Sequence, residues 1–221
     1  MQNALEAQLP TTRLDGIMDN EFPNFAALKA AKIENVDYRI VVRRGARTGN
    51  AIVLAPHGGK IEPRTSLIAE TVAGSDLDLY CFEGLMPHNN RELHITSNNF
   101  DEESALDLVR VKSIVVAIHG RQDRDDPSTI YMGGKDATLI TAIVGRLQEA
   151  GFNTKTDNHI FPGIGDLNIV NRGLTGKGAQ LEIPFSLRQR LGNEPELLGK
   201  FCTAVRKAID TVDARSCSIV S

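Results

Sequence analysis

Two apolar runs in this chain end in the same dipeptide. Residues 51–56 (AIVLAP) lead into His57-Gly58-Gly59, and residues 113–118 (SIVVAI) lead into His119-Gly120. Imidazole is the commonest protein metal ligand and titrates near neutral pH. A glycine after each histidine leaves room for a ligand to approach the backbone closely. Glu62 follows His57 by five positions and directly precedes Pro63, so its carboxylate can swing back towards the imidazole. Two imidazoles and one carboxylate are a donor set for catalytic zinc that leaves the fourth position to water. Either histidine alone would serve equally well as a strand-end cap bonded to backbone. Two such ends with Glu62 beside one of them favour the metal set, His57, Glu62 and His119, with one zinc per chain.

A metal-assisted hydrolase also needs a base outside the metal shell. Glu182 sits inside an apolar run as Gln180-Leu181-Glu182-Ile183-Pro184. A carboxylate there is costly unless paired or used, and loss of water raises its pKa towards a working value. The competing reading uses strand alternation, which puts Leu181 and Ile183 on one face and Gln180 and Glu182 on an outward one. Positive charge gathers nearby as Arg172, Lys177, Arg188 and Arg190. Arginine grips carboxylates with two parallel hydrogen bonds, so Asn171-Arg172 and Arg188 are candidates for binding acidic groups of a substrate. His94, in LHITS, fits either a core or a pocket, whereas His88 and His159 lie in polar loops and read as solvated. The stretch NRGLTGKG misses the phosphate-loop pattern at both ends, and no GxGxxG joins a strand to a helix.

These groups need elements to hold them. Residues 38–42 (YRIVV), 51–55 (AIVLA), 77–82 (LDLYCF), 113–118 (SIVVAI) and 179–185 (AQLEIPF) read as strands. Helices are expected from Pro63 to Gly74, over 101–110, over 135–150 with Gly151 closing it, and over 194–212. Apolar strands spaced by helices define an α/β fold with a mixed, mostly parallel central sheet flanked by helices. The C-terminal edge of such a sheet is where open α/β proteins bind their ligands, and both histidines arrive there. The least regular stretch, 158–178, carries Gly163, Gly165, Gly173, Gly176 and Gly178; a loop this long is commonly functional or mobile.

Composition bounds the rest. A chain of 221 residues with 41% hydrophobic residues and no visible linker is expected to form one domain over 1–221. Net charge of −3, 5% aromatics and no tryptophan speak against a nucleic-acid partner. Cys81, Cys202 and Cys217 form no CxxC pair, so a reducing, cytoplasmic setting is expected. No apolar run approaches a membrane span, and residues 1–10 hold no signal-peptide core.

With these residues in place, the chain resembles the poly-γ-glutamate hydrolases of bacteriophages and their bacterial relatives. The resemblance rests on an ordered series between about residues 55 and 190: HGGKIE from His57, LHITS from Leu93, FDE from Phe100, IHG from Ile118, GGKD from Gly133, NIVNRG from Asn168 and QLE from Gln180. That family is similar to the zinc carboxypeptidases, which implies an open α/β core with one zinc. The resemblance implies His57, Glu62 and His119 as ligands, Glu182 as base, and Asn171, Arg172 and Arg188 at the substrate. It further implies cleavage of the γ-glutamyl amide of an anionic polypeptide, by a protein released at host lysis if phage-encoded. Two alternatives share parts of the pattern: hydrolysis of a small acidic amide, or a non-enzymatic phage-associated binding protein. Among carboxypeptidases two residues usually separate His from Glu; here Gly58 to Ile61 intervene, so the loop before Glu62 must bulge.

Overall fold

The computed structural model describes residues 22–46 and 49–218, with side chains described to residue 214. Residues 1–10 and the side chain of Cys217, both read above, lie outside the described residues. Cys81 and Cys202 are free and buried. Among the described residues no helix is long and apolar enough to cross a membrane.

The fold is an α/β sandwich around a seven-stranded mixed sheet. Its strands are β1 (Tyr38–Arg43), β2 (Ala51–Gly59), β3 (Asp78–Gly84), β4 (Ile114–Arg121), β5 (Ile130–Gly134), β6 (Thr154–Lys155) and β7 (Ala179–Pro184), in the spatial order β1-β3-β2-β4-β7-β5-β6. The four central strands β3, β2, β4 and β7 run parallel, β1 pairs antiparallel with β3, and β5 pairs antiparallel with β7 and parallel with β6. Among the described residues six α-helices cover the sheet: α1 (Phe25–Ala31), α2 (Thr65–Ala73), α3 (Glu103–Val109), α4 (Ala137–Glu149), α5 (Phe185–Asn193) and α6 (Pro195–Ser218).

Parallel strands must be buried on both faces, which is why they read as unbroken apolar runs. One apolar cluster joins Val53, Val116 and Leu181 to Ile68 and Val72 of α2, Ile143 of α4 and Phe201, Val205 and Ile209 of α6. The other joins Leu54, Tyr80 and Phe82 to Phe25 and Leu28 of α1 and to Phe100, Leu108 and Val170. β2 is followed in sequence by β3 on one side and flanked by β4 on the other, so the strand order reverses between β2 and β4. That crevice is where a parallel sheet opens to accept a ligand.

Several elements differ from expectation. β5, β6, α1 and α5 carry weak local signals: β5 is IYMGG, with two glycines in five residues, and α5 is the polar stretch FSLRQRLGN. α2 begins at Thr65 rather than at Pro63, because Arg64 adopts a left-handed conformation at φ 80°. Asp136 and Glu102 cap α4 and α3 by accepting backbone N–H bonds, which sets those helix starts.

Candidate active site

β2 shifts register against β3 between Ala55 and Gly58, so the chain leaves the ladder as it reaches His57. The Ile61 N–H then donates to Gly58 O at 3.2 Å, and the Glu62 N–H to His57 O at 2.9 Å. Gly59 takes φ +60°, where a side chain would collide with the Gly84 backbone, so the bulge needs a glycine there. The four intervening residues, Gly58 to Ile61, are accommodated in that bulge, and Glu62 returns beside His57.

His57, Glu62 and His119 converge with their ligand atoms all within 4.8 Å of one another. His57 Nδ1 lies 3.1 Å from Glu62 Oε1 and 3.1 Å from His119 Nδ1, and His119 Nδ1 lies 3.8 Å from Glu62 Oε2. Ligand atoms of a tetrahedral zinc site with bonds of about 2.0–2.1 Å sit roughly 3.3–3.4 Å apart. The donor set fits that requirement. The outer ring nitrogens are engaged elsewhere: His57 Nε2 is 2.7 Å from Ile95 O, and His119 Nε2 is 3.3 Å from Ser97 Oγ. An imidazole that donates from one nitrogen presents the other as a lone pair, which turns both Nδ1 atoms inward. The Gly120 N–H donates to Glu62 Oε2 at 2.7 Å and fixes the carboxylate.

The site is dry. His57 and His119 are each 2% exposed, Glu62 6% and Glu182 7%. Burial alone would push the Glu62 carboxyl up, but His57 and His119 outweigh it and hold Glu62 well below the usual carboxylate range. Burial would likewise lower His119, yet its contact with Glu62 and the charge of Glu182 leave it raised. The His94 ring lies tilted against that of His57 with ring centroids 4.0 Å apart, its Nε2 3.9 Å from Glu62 Oε1. Burial and the neighbouring His57 push its pKa down to about 2, so His94 belongs to the pocket as a neutral ring.

Glu182 pairs with His119 across β4 and β7 and with Tyr131 across β7 and β5. Every residue of β7 is buried, so the outward-facing alternative for Glu182 does not hold: helices and loops cover both faces of this central strand. Burial lifts the Glu182 pKa to about 7; His119 opposes that rise and Glu62 adds to it. Gln180 Nε2 donates to Glu182 Oε1 at 3.1 Å, and Gln180 Oε1 accepts from Asn168 Nδ2 at 3.1 Å.

The remaining predicted residues scatter. Arg172 follows the short 3-10 turn Ile169–Asn171 and is half-buried. Asn171 is buried, and its Nδ2 donates to Gly163 O and Gly165 O at 2.7 and 3.0 Å, drawing the long loop together. Arg188 is buried with its guanidinium on three backbone carbonyls. Both side chains thus face the chain's own carbonyls. His159 is half-buried, stacked on Tyr131 at 5.0 Å, with Nε2 3.1 Å from Met132 O, instead of solvated; His88 is exposed. A residue passed over in the sequence is Arg121, buried, stacked 3.9 Å over Tyr131, and donating to the carbonyls of Gln122, Asp123, Asp126 and Thr129. Its position two residues after His119 was the available signal. A second acid–thiol group, Glu70, Cys81 and Glu83, lies along α2 and β3, but Glu83 is already paired with Arg39 at 2.5 Å.

Fold and site together define an open α/β protein with a two-histidine, one-glutamate cluster at a sheet switch point and a buried carboxylate beside it. The chain belongs to the poly-gamma-glutamate hydrolase family, whose model matches residues 22–209. It is 34% identical over 183 residues to the SPbeta prophage-derived UPF0714 protein YoqZ of Bacillus subtilis (strain 168), covering 82% of this chain and 65% of that relative's length. A solved bacteriophage poly-gamma-glutamate hydrolase superposes with a TM-score of 0.82 at 30% identity, covering 88% of this chain and 98% of the other. A solved structure of YNDL in an apo, zinc-free form superposes with a TM-score of 0.79 at 30% identity over 87% of this chain and 98% of the other.

Proposed function

We propose that this chain is a single-domain, zinc-dependent hydrolase that cleaves the γ-glutamyl amide bonds of poly-γ-glutamate. The observation that carries this reading is the register pairing of His119 with Glu182, which sets a buried carboxylate next to the His57–Glu62–His119 cluster. Family membership and the zinc-free description of one structural relative support the substrate and the metal.

His57 Nδ1, His119 Nδ1 and a Glu62 oxygen would hold one zinc ion. When bound, zinc supplies a water of lowered pKa and a Lewis acid for the amide carbonyl. Glu182, with a pKa lifted to about 7, accepts the proton of the attacking water and returns it to the leaving amine. Gln180 holds one Glu182 oxygen, leaving the other for that transfer. The half-buried Arg172 is the group we assign to a substrate carboxylate; a net charge of −3 leaves attraction of a polyanion to local cations of this kind.

The test is chain-length analysis of purified poly-γ-glutamate, by viscosity or gel, with metal content measured on the same sample. Zinc-loaded protein should hold about one ion per chain and shorten the polymer. Chelation should stop cleavage, and added zinc should restore it. Full cleavage by the stripped protein, or none after zinc is restored, would overturn the reading.

A further inference from the structure

Arg188 lies on α5, 2% exposed, and its guanidinium fork reaches three separate segments of backbone. Nε donates to Ile183 O at 3.1 Å, Nη2 to Arg121 O at 3.3 Å, and Nη1 to Pro63 O. Each carbonyl sits beside a residue of the site. Ile183 follows Glu182, Pro63 follows Glu62, and Arg121 stands two positions after His119. Two of these segments are far from Arg188 in the chain, Pro63 by 125 positions and Arg121 by 67, while Ile183 lies five positions before it.

The packing around the fork is tight. A Cβ on Gly120 would lie 2.4 Å from the Arg188 guanidinium carbon, so the backbone approaches it as only glycine allows. Gly120 is also the residue whose N–H holds Glu62 Oε2. The guanidinium therefore supports, from beneath, the backbone that fixes the ligand carboxylate. A planar fork with donors in fixed directions can hold three acceptors at set angles, which the point charge of an ammonium cannot. Its partners are neutral carbonyls, so these contacts serve geometry more than charge pairing.

We propose that Arg188 is a positioning residue that fixes the metal-binding loops against the base-bearing strand, and that it does not itself grip substrate. The proposal rests on the catalytic reading of the site given above. Its test uses the full chain as Arg188→Lys, Arg188→Met and Gly120→Ala, the last displacing the fork without removing its charge. Zinc affinity is read by competition with a chromophoric chelator, alongside kcat, KM and thermal midpoint. Outer partners of metal ligands typically contribute 10–100-fold to metal affinity or activity. All three variants should therefore bind zinc about 10–100-fold more weakly and lose kcat, with KM within about twofold of wild type. Gly120→Ala and Arg188→Lys carry the test if Arg188→Met does not fold. A raised KM with zinc affinity and kcat intact would make Arg188 a substrate contact and overturn the proposal. A lowered thermal midpoint with affinity and kcat intact would reduce it to ordinary packing and overturn it equally. The affinity measurement needs no substrate, so a wild type that binds zinc yet leaves poly-γ-glutamate intact would sink the functional reading without deciding this one.

Discussion

Glu62, on the bulged loop after β2, and Glu182, inside β7, are two carboxylates with nearly the same burial and opposite electrostatics. Glu62 faces two imidazoles and accepts the Gly120 N–H, and its pKa falls well below the ordinary range despite the loss of water. Glu182 has one amide, from Gln180, and burial outweighs the opposing His119 beside it while Glu62 adds to the rise, so its pKa climbs to about 7. Burial sets the size of the problem, and the neighbours decide its sign. A carboxylate held permanently ionised is suited to bind a cation. One poised near neutrality is suited to take and return a proton.

The sharpest way to break this contrast is to neutralise each carboxylate in turn. Glu62→Gln should empty the metal site and take activity to background, because no other carboxylate belongs to that cluster. Glu182→Gln should leave zinc content near wild type while kcat falls about 10²–10⁴-fold, the range for a positioned acid–base group. KM should change far less, since the lost interaction belongs to the transition state. Loss of zinc in both variants would make Glu182 a ligand, and normal turnover in Glu182→Gln would make it a bystander. In the loaded wild type the acid limb of kcat/KM should fall below the metal-free value of about 7, because a nearby dication favours the carboxylate.

The same contrast has a thermodynamic face in the metal-free protein. A carboxyl whose pKa rises on folding, here from 4.5 to about 7, binds its proton more tightly in the folded state. Its contribution is fully favourable below the unfolded value and is lost as pH rises through about 7. The loss is on the order of 3 kcal/mol if the whole shift is realised. Metal-free Glu182→Gln should therefore match wild type near pH 4 and melt higher than wild type near pH 8. Equal midpoints at both pH values would show that Glu182 is not strained by burial.

How much of this was legible in the chain follows from the same physics. His57 and His119 could be placed because strands buried on both faces announce themselves as apolar runs, and a polar residue at the end of such a run stands out. Glu62 was close enough in sequence to be tied to His57, and the bulge followed from counting residues. Glu182 was visible as a charge in an apolar run, but its face was not, since β5 had no local signal and alternation alone allowed Gln180 and Glu182 an outward face. Arg121 and Arg188 were opaque for a related reason. Arg188 bonds carbonyls of Pro63 and Arg121 that only the strand order brings near. Arg121 bonds the carbonyls of the loop that follows it, whose course carries no periodic signal. The available hints were the position of Arg121 two residues after His119 and Gly120 between them.

The smallest expected effect concerns Arg172, on the loop that the structure ties to Glu182. Asn168 on that loop bonds Gln180, and Gln180 bonds Glu182, so the loop carrying Arg172 is held in register with β7. Arg172 itself is half-buried and remains wetted, unlike Arg188. An ion pair at such a position contributes about 0.2–1 kcal/mol, because water and salt screen it. Arg172→Ala should therefore raise KM for poly-γ-glutamate by at most about fivefold, leaving kcat and zinc content unchanged. Added salt should raise the wild-type KM towards that of the variant, so that the two converge at high ionic strength. A gap that persists in high salt would mean that Arg172 acts through packing of the loop. No gap at any salt concentration would remove it from the substrate path.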